Sequence, residues 1–124
     1  MNFKFYRCPV CGQIVAVVKE TAAIPVCCGQ NMQELKANTT DGALEKHVPV
    51  YEKKGDKVVV KIGSTEHPMT KEHFIEWIAI RTKAGNQRKC LKPGDRPEAC
   101  FCICEEDTIE EVCAYCNLHG LWKA

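Results

Sequence analysis

Neither sign of charge dominates this sequence: 17 lysines and arginines face 16 aspartates and glutamates, a formal charge of +1 with 27% charged residues. A basic footprint for nucleic acid and an acidic tail are both missing, so no polynucleotide partner is expected and any electrostatic steering has to be local. Long apolar runs are missing too, which excludes a membrane-spanning segment. The first eight residues, Met1-Asn2-Phe3-Lys4-Phe5-Tyr6-Arg7-Cys8, contain no apolar stretch and no small-residue cleavage site. The location expected from these features is the cytoplasm. There is no internal repeat, heptad pattern or low-complexity tract. At 124 residues the chain has room for one ordinary domain, with or without a metal-stapled miniature beside it.

What the chain has in excess is cysteine, ten in all, and none lies between Cys28 and Cys90. Such a content suits either a disulfide scaffold in a secreted chain or a metal protein in a reducing compartment. Cys27 and Cys28 argue for metal. A trans peptide holds neighbouring α-carbons about 3.8 Å apart, below the usual disulfide range, whereas two adjacent thiolates can share one ion. With Cys8-Pro9-Val10-Cys11-Gly12 they make a C-x2-C-x15-C-C set, four thiolates from one short segment. An all-sulfur tetrahedral set selects iron or zinc, and ligand chemistry alone leaves both open. In so short a segment the ion would supply most of the folding free energy.

The shift in cysteine content places a boundary at a linker over residues 36–42, giving domains of residues 1–37 and 38–124. Beyond the linker, β-branched and aromatic runs at residues 47–52, 57–62, 74–82, 99–104 and 111–115 are punctuated by turn residues. Gly55-Asp56 and Pro93-Gly94-Asp95 fit hairpin-type connections, and the pattern predicts an all-β antiparallel sandwich. One short helix is expected over residues 70–74.

All four histidines, His47, His67, His73 and His119, lie in settings suited to ligation, and Cys116 stands three positions before His119. Four imidazoles and a thiolate exceed the four ligands of a structural zinc site, whereas iron accepts five and leaves a sixth position for chemistry.

The quoted cysteine motif, Glu45-Lys46-His47-Val48-Pro49, His67-Pro68-Met69, His73-Phe74-Ile75-Glu76-Trp77-Ile78 and Cys116-Asn117-Leu118-His119-Gly120-Leu121-Trp122 together resemble the desulfoferrodoxin family from end to end. The resemblance implies a desulforedoxin-like domain holding iron on Cys8, Cys11, Cys27 and Cys28, followed by an immunoglobulin-like sandwich. That sandwich would hold a second iron on His47, His67, His73, His119 and Cys116. It further implies a superoxide reductase: superoxide as substrate, hydrogen peroxide as product, a rubredoxin-like electron donor and a homodimer. Glu45 and Lys46 would then border the open position, Lys46 attracting the anion and Glu45 closing on the metal after product leaves. Trp77 reads as core, and Trp122 as a cover over the metal.

Cys90, Cys100, Cys102, Cys104 and Cys113 fall outside the family pattern. Residues 100, 102 and 104 share one strand face, and burial as small hydrophobes is the expectation for them. Cys113-Ala114-Tyr115-Cys116 also makes a second CxxC, which with Cys102 and Cys104 defines a competing ligand set. Two other functions stay in view: an electron-transfer or zinc-stapled binding protein with a closed histidine site, and a superoxide dismutase.

Overall fold

The amino-terminal segment is too short to build a sheet of any size, and in the computed structural model, which describes residues 3–40 and 42–124, it forms only short strands. These are β1 (Phe5–Arg7), β2 (Ile14–Ala16), β3 (Val26–Cys27), β4 (Gln30–Asn31) and β5 (Gln33–Glu34). They pair antiparallel in the orders β2-β1-β5 and β3-β4. Tyr6, Cys8 and Met32 are the buried cluster of this unit, with Val15, Val17 and Cys27 packed against them. The unit spans Met1–Lys36, and Ala37–Ala124 forms a second compact unit. Asp41 of the expected linker, and Met1 and Asn2 of the opening octet, lie outside the described residues.

In the second unit, Lys57-Val58-Val59-Val60-Lys61-Ile62 alternates exposed and buried side chains along its whole length. That period of two is a strand with one face on a core. It forms β7 (Lys57–Ile62), preceded by α1 (Leu44–His47) and β6 (Pro49–Lys54) and followed by β8 (Ile75–Thr82), β9 (Asn86–Cys90), β10 (Glu98–Cys102), β11 (Ile109–Cys116) and β12 (Gly120–Lys123). All pairings are antiparallel, in two sheets of order β10-β7-β6 and β12-β11-β8-β9. Val58, Val60, Ile62, Ile75, Ile78, Ile80, Phe101 and Val112 are among the core residues they enclose. This is the all-β antiparallel sandwich that the pattern predicts, of the immunoglobulin-like kind that the resemblance implies. No helix among the described residues is long and apolar enough to cross a membrane.

One side of the sandwich is closed by side chains. Lys89 and Gln87 of β9 donate to the carbonyls of Cys100 and Cys102 on β10, the latter at 2.7 Å, so backbone acceptors on β10 are covered.

The structure departs from the sequence reading in three places. Residues 70–74 form no helix; Thr70 and His73 close a turn on each other instead. The helix lies at Leu44–His47, so the strand expected from residue 47 begins at Pro49. Cys90, Cys100, Cys102 and Cys104 are exposed, and only Cys113 of the additional cysteines is buried. Residues 100 and 102 do share a face, but Ala99, Phe101 and Ile103 take the core side, which turns the thiols outward.

Candidate metal centres

The first centre is built from two turns that need left-handed backbone. After β1, Gly12 at φ +81° lets the chain fold back so that the Gly12 amide donates to Cys8 O at 3.0 Å, while the Val10 and Cys11 amides face Cys8 Sγ at 3.4 Å. Between β3 and β4, Cys28 and Gly29 both have positive φ, at 53° and 75°, which makes a two-residue hairpin of the type whose twist suits paired strands. That turn explains the adjacent cysteines: Cys27 ends a strand and Cys28 opens the turn.

All four sulfurs lie within 4.8 Å of one another. Cys11 Sγ is 3.7 Å from Cys27 Sγ, and Cys27 Sγ is 3.9 Å from Cys28 Sγ. Metal–sulfur bonds of about 2.3 Å give a tetrahedron whose edge is about 3.8 Å, so the spacing already suits an ion. The Cys11 amide is the main cause that lowers the Cys8 thiol to about 6. Hydrogen bonding with Cys8 and Cys11 pushes Cys27 up to about 12.

The second centre draws its potential ligands from three separate segments. His47 comes from α1, His67 and His73 from the connection between β7 and β8, and Cys116 and His119 from the turn joining β11 to β12. The imidazole rings stand at the corners of a square. Neighbouring centroids are 4.7 Å (His47–His67), 4.6 Å (His67–His73), 5.0 Å (His73–His119) and 4.7 Å (His119–His47) apart, each pair near perpendicular at 73° to 85°. His47 and His73 face each other across the square at 6.1 Å. The donor atoms of His47, His67, His73 and Cys116 all lie within 4.8 Å of one another. His119 completes the square, with Nδ1 3.0 Å from His47 Nε2 and 3.8 Å from Cys116 Sγ.

Outer hydrogen bonds orient two of the rings. Nδ1–H of His47 donates to Ala43 O at 2.7 Å and Nδ1–H of His67 to Pro68 O at 2.6 Å, which leaves the Nε2 lone pairs aimed inward. Nε2 of His67 and of His73 are buried without a hydrogen-bond partner. An orphaned buried polar atom costs about 1–3 kcal/mol, and here two of them point into one space with a thiol: the residues fit a bound transition metal. Burial is the leading cause that keeps His47 and His73 below the ordinary imidazole range and brings His67 to about 4, so the rings are neutral as ligation requires. Burial raises the Cys116 thiol, opposed by the amides of His119 and Leu118. Trp122 stacks on His47 at 4.8 Å and donates Nε1–H to His119 O at 3.0 Å, walling one side.

Glu45 and Lys46 are exposed on α1 immediately before His47. The competing set of Cys102, Cys104, Cys113 and Cys116 is not assembled. Among the described residues, the two groups above are the ones in which three or more potential ligands converge. The sequence reading missed two glycines. A Cβ on Gly42 would lie 3.2 to 3.4 Å from the rings of Trp122, His47 and His119, so a side chain there would press on the imidazoles. Gly63, at φ +83°, is pressed against the backbone of Glu45 and Lys46. Positions next to no ligand in sequence gave no signal.

The family model for desulfoferrodoxin matches residues 39–124, and that for the desulfoferrodoxin N-terminal domain matches residues 2–35. The chain belongs to the desulfoferrodoxin family. A desulfoferrodoxin of Syntrophotalea carbinolica is 49% identical over 123 residues, 99% of this chain and 96% of that relative. The crystal structure of the superoxide reductase from Treponema pallidum covers 100% of this chain and 99% of its own at a TM-score of 0.84 and 33% identity. A one-iron superoxide reductase from Giardia intestinalis covers 64% of this chain and 95% of its own, at a TM-score of 0.55 and 36% identity. The four-cysteine group and the histidine–cysteine group match the two-iron pattern of desulfoferrodoxins.

Proposed function

We propose that this desulfoferrodoxin is a superoxide reductase that adds one electron and two protons to superoxide and releases hydrogen peroxide. The observation that carries the proposal is the square of four imidazoles, two with orphaned inward nitrogens, beside one buried thiol. Such a set exceeds what a structural site uses and leaves a side for a small oxygen species. Cys8, Cys11, Cys27 and Cys28 hold the first iron, in a domain of residues 1–37. His47, His67, His73, His119 and Cys116 hold the second, in a domain of residues 38–124. Iron in the second set supplies the one-electron reduction, and a thiolate ligand favours it.

The chain's own residues do the rest. Burial keeps His47, His67 and His73 neutral, so their nitrogens stay available. Lys46 is the nearest ammonium by sequence, and its charge is among the causes that lower His47 and His73, which supports its field reaching the site. It raises the encounter rate of an anionic substrate and orders the water that delivers protons. Glu45 repels that anion; it is the carboxylate on the same turn available to occupy the open side once product has left. A rubredoxin-like protein is the donor, the working form is a homodimer, and the compartment is the cytoplasm.

Counting products tests the reading. With an external reductant present, the expected yield is one hydrogen peroxide per superoxide and no dioxygen. Half a peroxide and half a dioxygen per superoxide would make it a dismutase, and zinc at both centres of the purified protein would remove the redox reading.

A further inference from the structure

His73, like His67, lies in the connection between β7 and β8, outside any helix or strand. Its place is nevertheless fixed. Thr70 closes on it from within the connection: the His73 amide donates to Thr70 O at 3.3 Å and to Thr70 Oγ1 at 3.1 Å, and Thr70 N–H and Oγ1–H donate to His73 O at 3.0 and 3.2 Å. The residues on either side are held from a distant part of the chain. Asn117 Oδ1 accepts from the Phe74 amide at 2.9 Å, Asn117 Nδ2 donates to Glu72 O at 2.9 Å, and the Asn117 amide donates to Phe74 O at 3.2 Å.

Asn117 itself follows Cys116 and precedes His119 by two positions. One side chain therefore ties the segment carrying His73 to the turn carrying two other ligands, bracketing His73 on both sides. A carboxamide is the group this demands, because it offers one acceptor and one donor in a fixed plane. A general role in stability does not account for the arrangement, since both side-chain bonds go to the backbone that flanks a ligand and neither goes to the core.

We propose that Asn117 is a positioning residue for the second metal centre: its carboxamide sets the spacing between His73 and the Cys116–His119 turn, and with it the metal affinity of that centre. The inference rests on the ligand set and not on the identity of the substrate. Groups that orient ligands from outside commonly change metal affinity by about 10- to 100-fold when removed.

Asn117→Ala in the full chain, titrated with ferrous iron against a ferrous chelator of known affinity, tests this. The expected result is a 10- to 100-fold weaker second centre, while the four-cysteine centre of the same molecules loads as before. The thiolate-to-iron absorption of the second centre should also shift. Asn117→Asp keeps the acceptor for the Phe74 amide and loses the donor to Glu72 O, so it should fall between the wild type and the alanine variant, and it decides the matter if the alanine variant does not fold. Unchanged affinity and spectrum in a folded variant would overturn the proposal. So would a loss of affinity fully matched by a loss of metal-free stability, which would make Asn117 a residue of the fold alone.

Discussion

His67 is 2% exposed, and the ring nitrogen that faces the other imidazoles is orphaned, so the residue is poised for a metal and costly to protonate. Burial brings it from 6.5 to about 4, against the opposing effect of its bond to Pro68 O. The sign of the consequence follows from proton counting. Between those values the unfolded chain holds a proton that the folded chain does not, so stability falls as pH drops through the window from 6.5 toward 4. His67 alone contributes up to about 3 kcal/mol to that loss, and His47 and His73 act in the same direction. Metal loss runs the same way, since ligation needs neutral rings. Urea unfolding of the metal-free second unit at pH 7 and pH 4 should show this slope, and His67→Gln should flatten it. A slope unchanged in the variant would mean that His67 is not held neutral by the fold.

The turn bearing Glu45, Lys46 and His47 is seated by a neighbouring element, the loop after β7. The Thr65 amide donates to Glu45 O at 2.8 Å, Ser64 Oγ–H donates to the same oxygen at 3.3 Å, and the Gly63 amide donates to Val48 O at 3.2 Å. A Cβ on Gly63 would collide with Thr65 O and lie 2.7 Å from Glu45 O and 2.8 Å from the Lys46 carbonyl carbon, all backbone atoms that cannot swing aside. Gly63→Ala should therefore destabilise the second unit by about 1–3 kcal/mol. Gly85→Ala, whose Cβ would meet nothing, serves as the control and should leave the melting temperature unchanged. Equal melting temperatures for the two variants would show that the loop yields.

The same elements show what the sequence discloses. β7 and β8 are legible because burial enforces alternation or a long apolar run. β9, Asn86-Gln87-Arg88-Lys89-Cys90, is exposed at every position and held by backbone pairing to β8, so no hydrophobic pattern marks it. The helix expected over residues 70–74 fails because the Thr70 hydroxyl competes for the backbone of His73. Cys8, Cys11, Cys27 and Cys28 are legible from spacing, since one short hairpin carries them all. His47, His67, His73 and Cys116 meet only through the sandwich, and no spacing rule could have joined them.

At the scale of the molecule the two units have unequal means of staying folded. The second encloses a cluster of twelve buried residues, among them Phe101, Ile78 and Ile80. The first buries Tyr6, Cys8 and Met32 as its cluster, too little to offset the conformational entropy lost in ordering its chain. A structural metal on four thiolates contributes on the order of 10–16 kcal/mol, enough to decide whether the first unit folds. Loading also ejects protons, since Cys27 and Cys28 are pushed above their ordinary range while Cys8 is lowered, so acid and chelator act in concert. Removing both metals from the full chain should leave one cooperative unit. By hydrogen exchange, amides of β1, β2 and β5 should exchange at nearly unprotected rates, while those of β7, β8 and β11 keep their protection. Retained protection in β1 and β2 without metal would show that the first unit folds on its own small core. Simultaneous loss in both units would show that the second also depends on its metal.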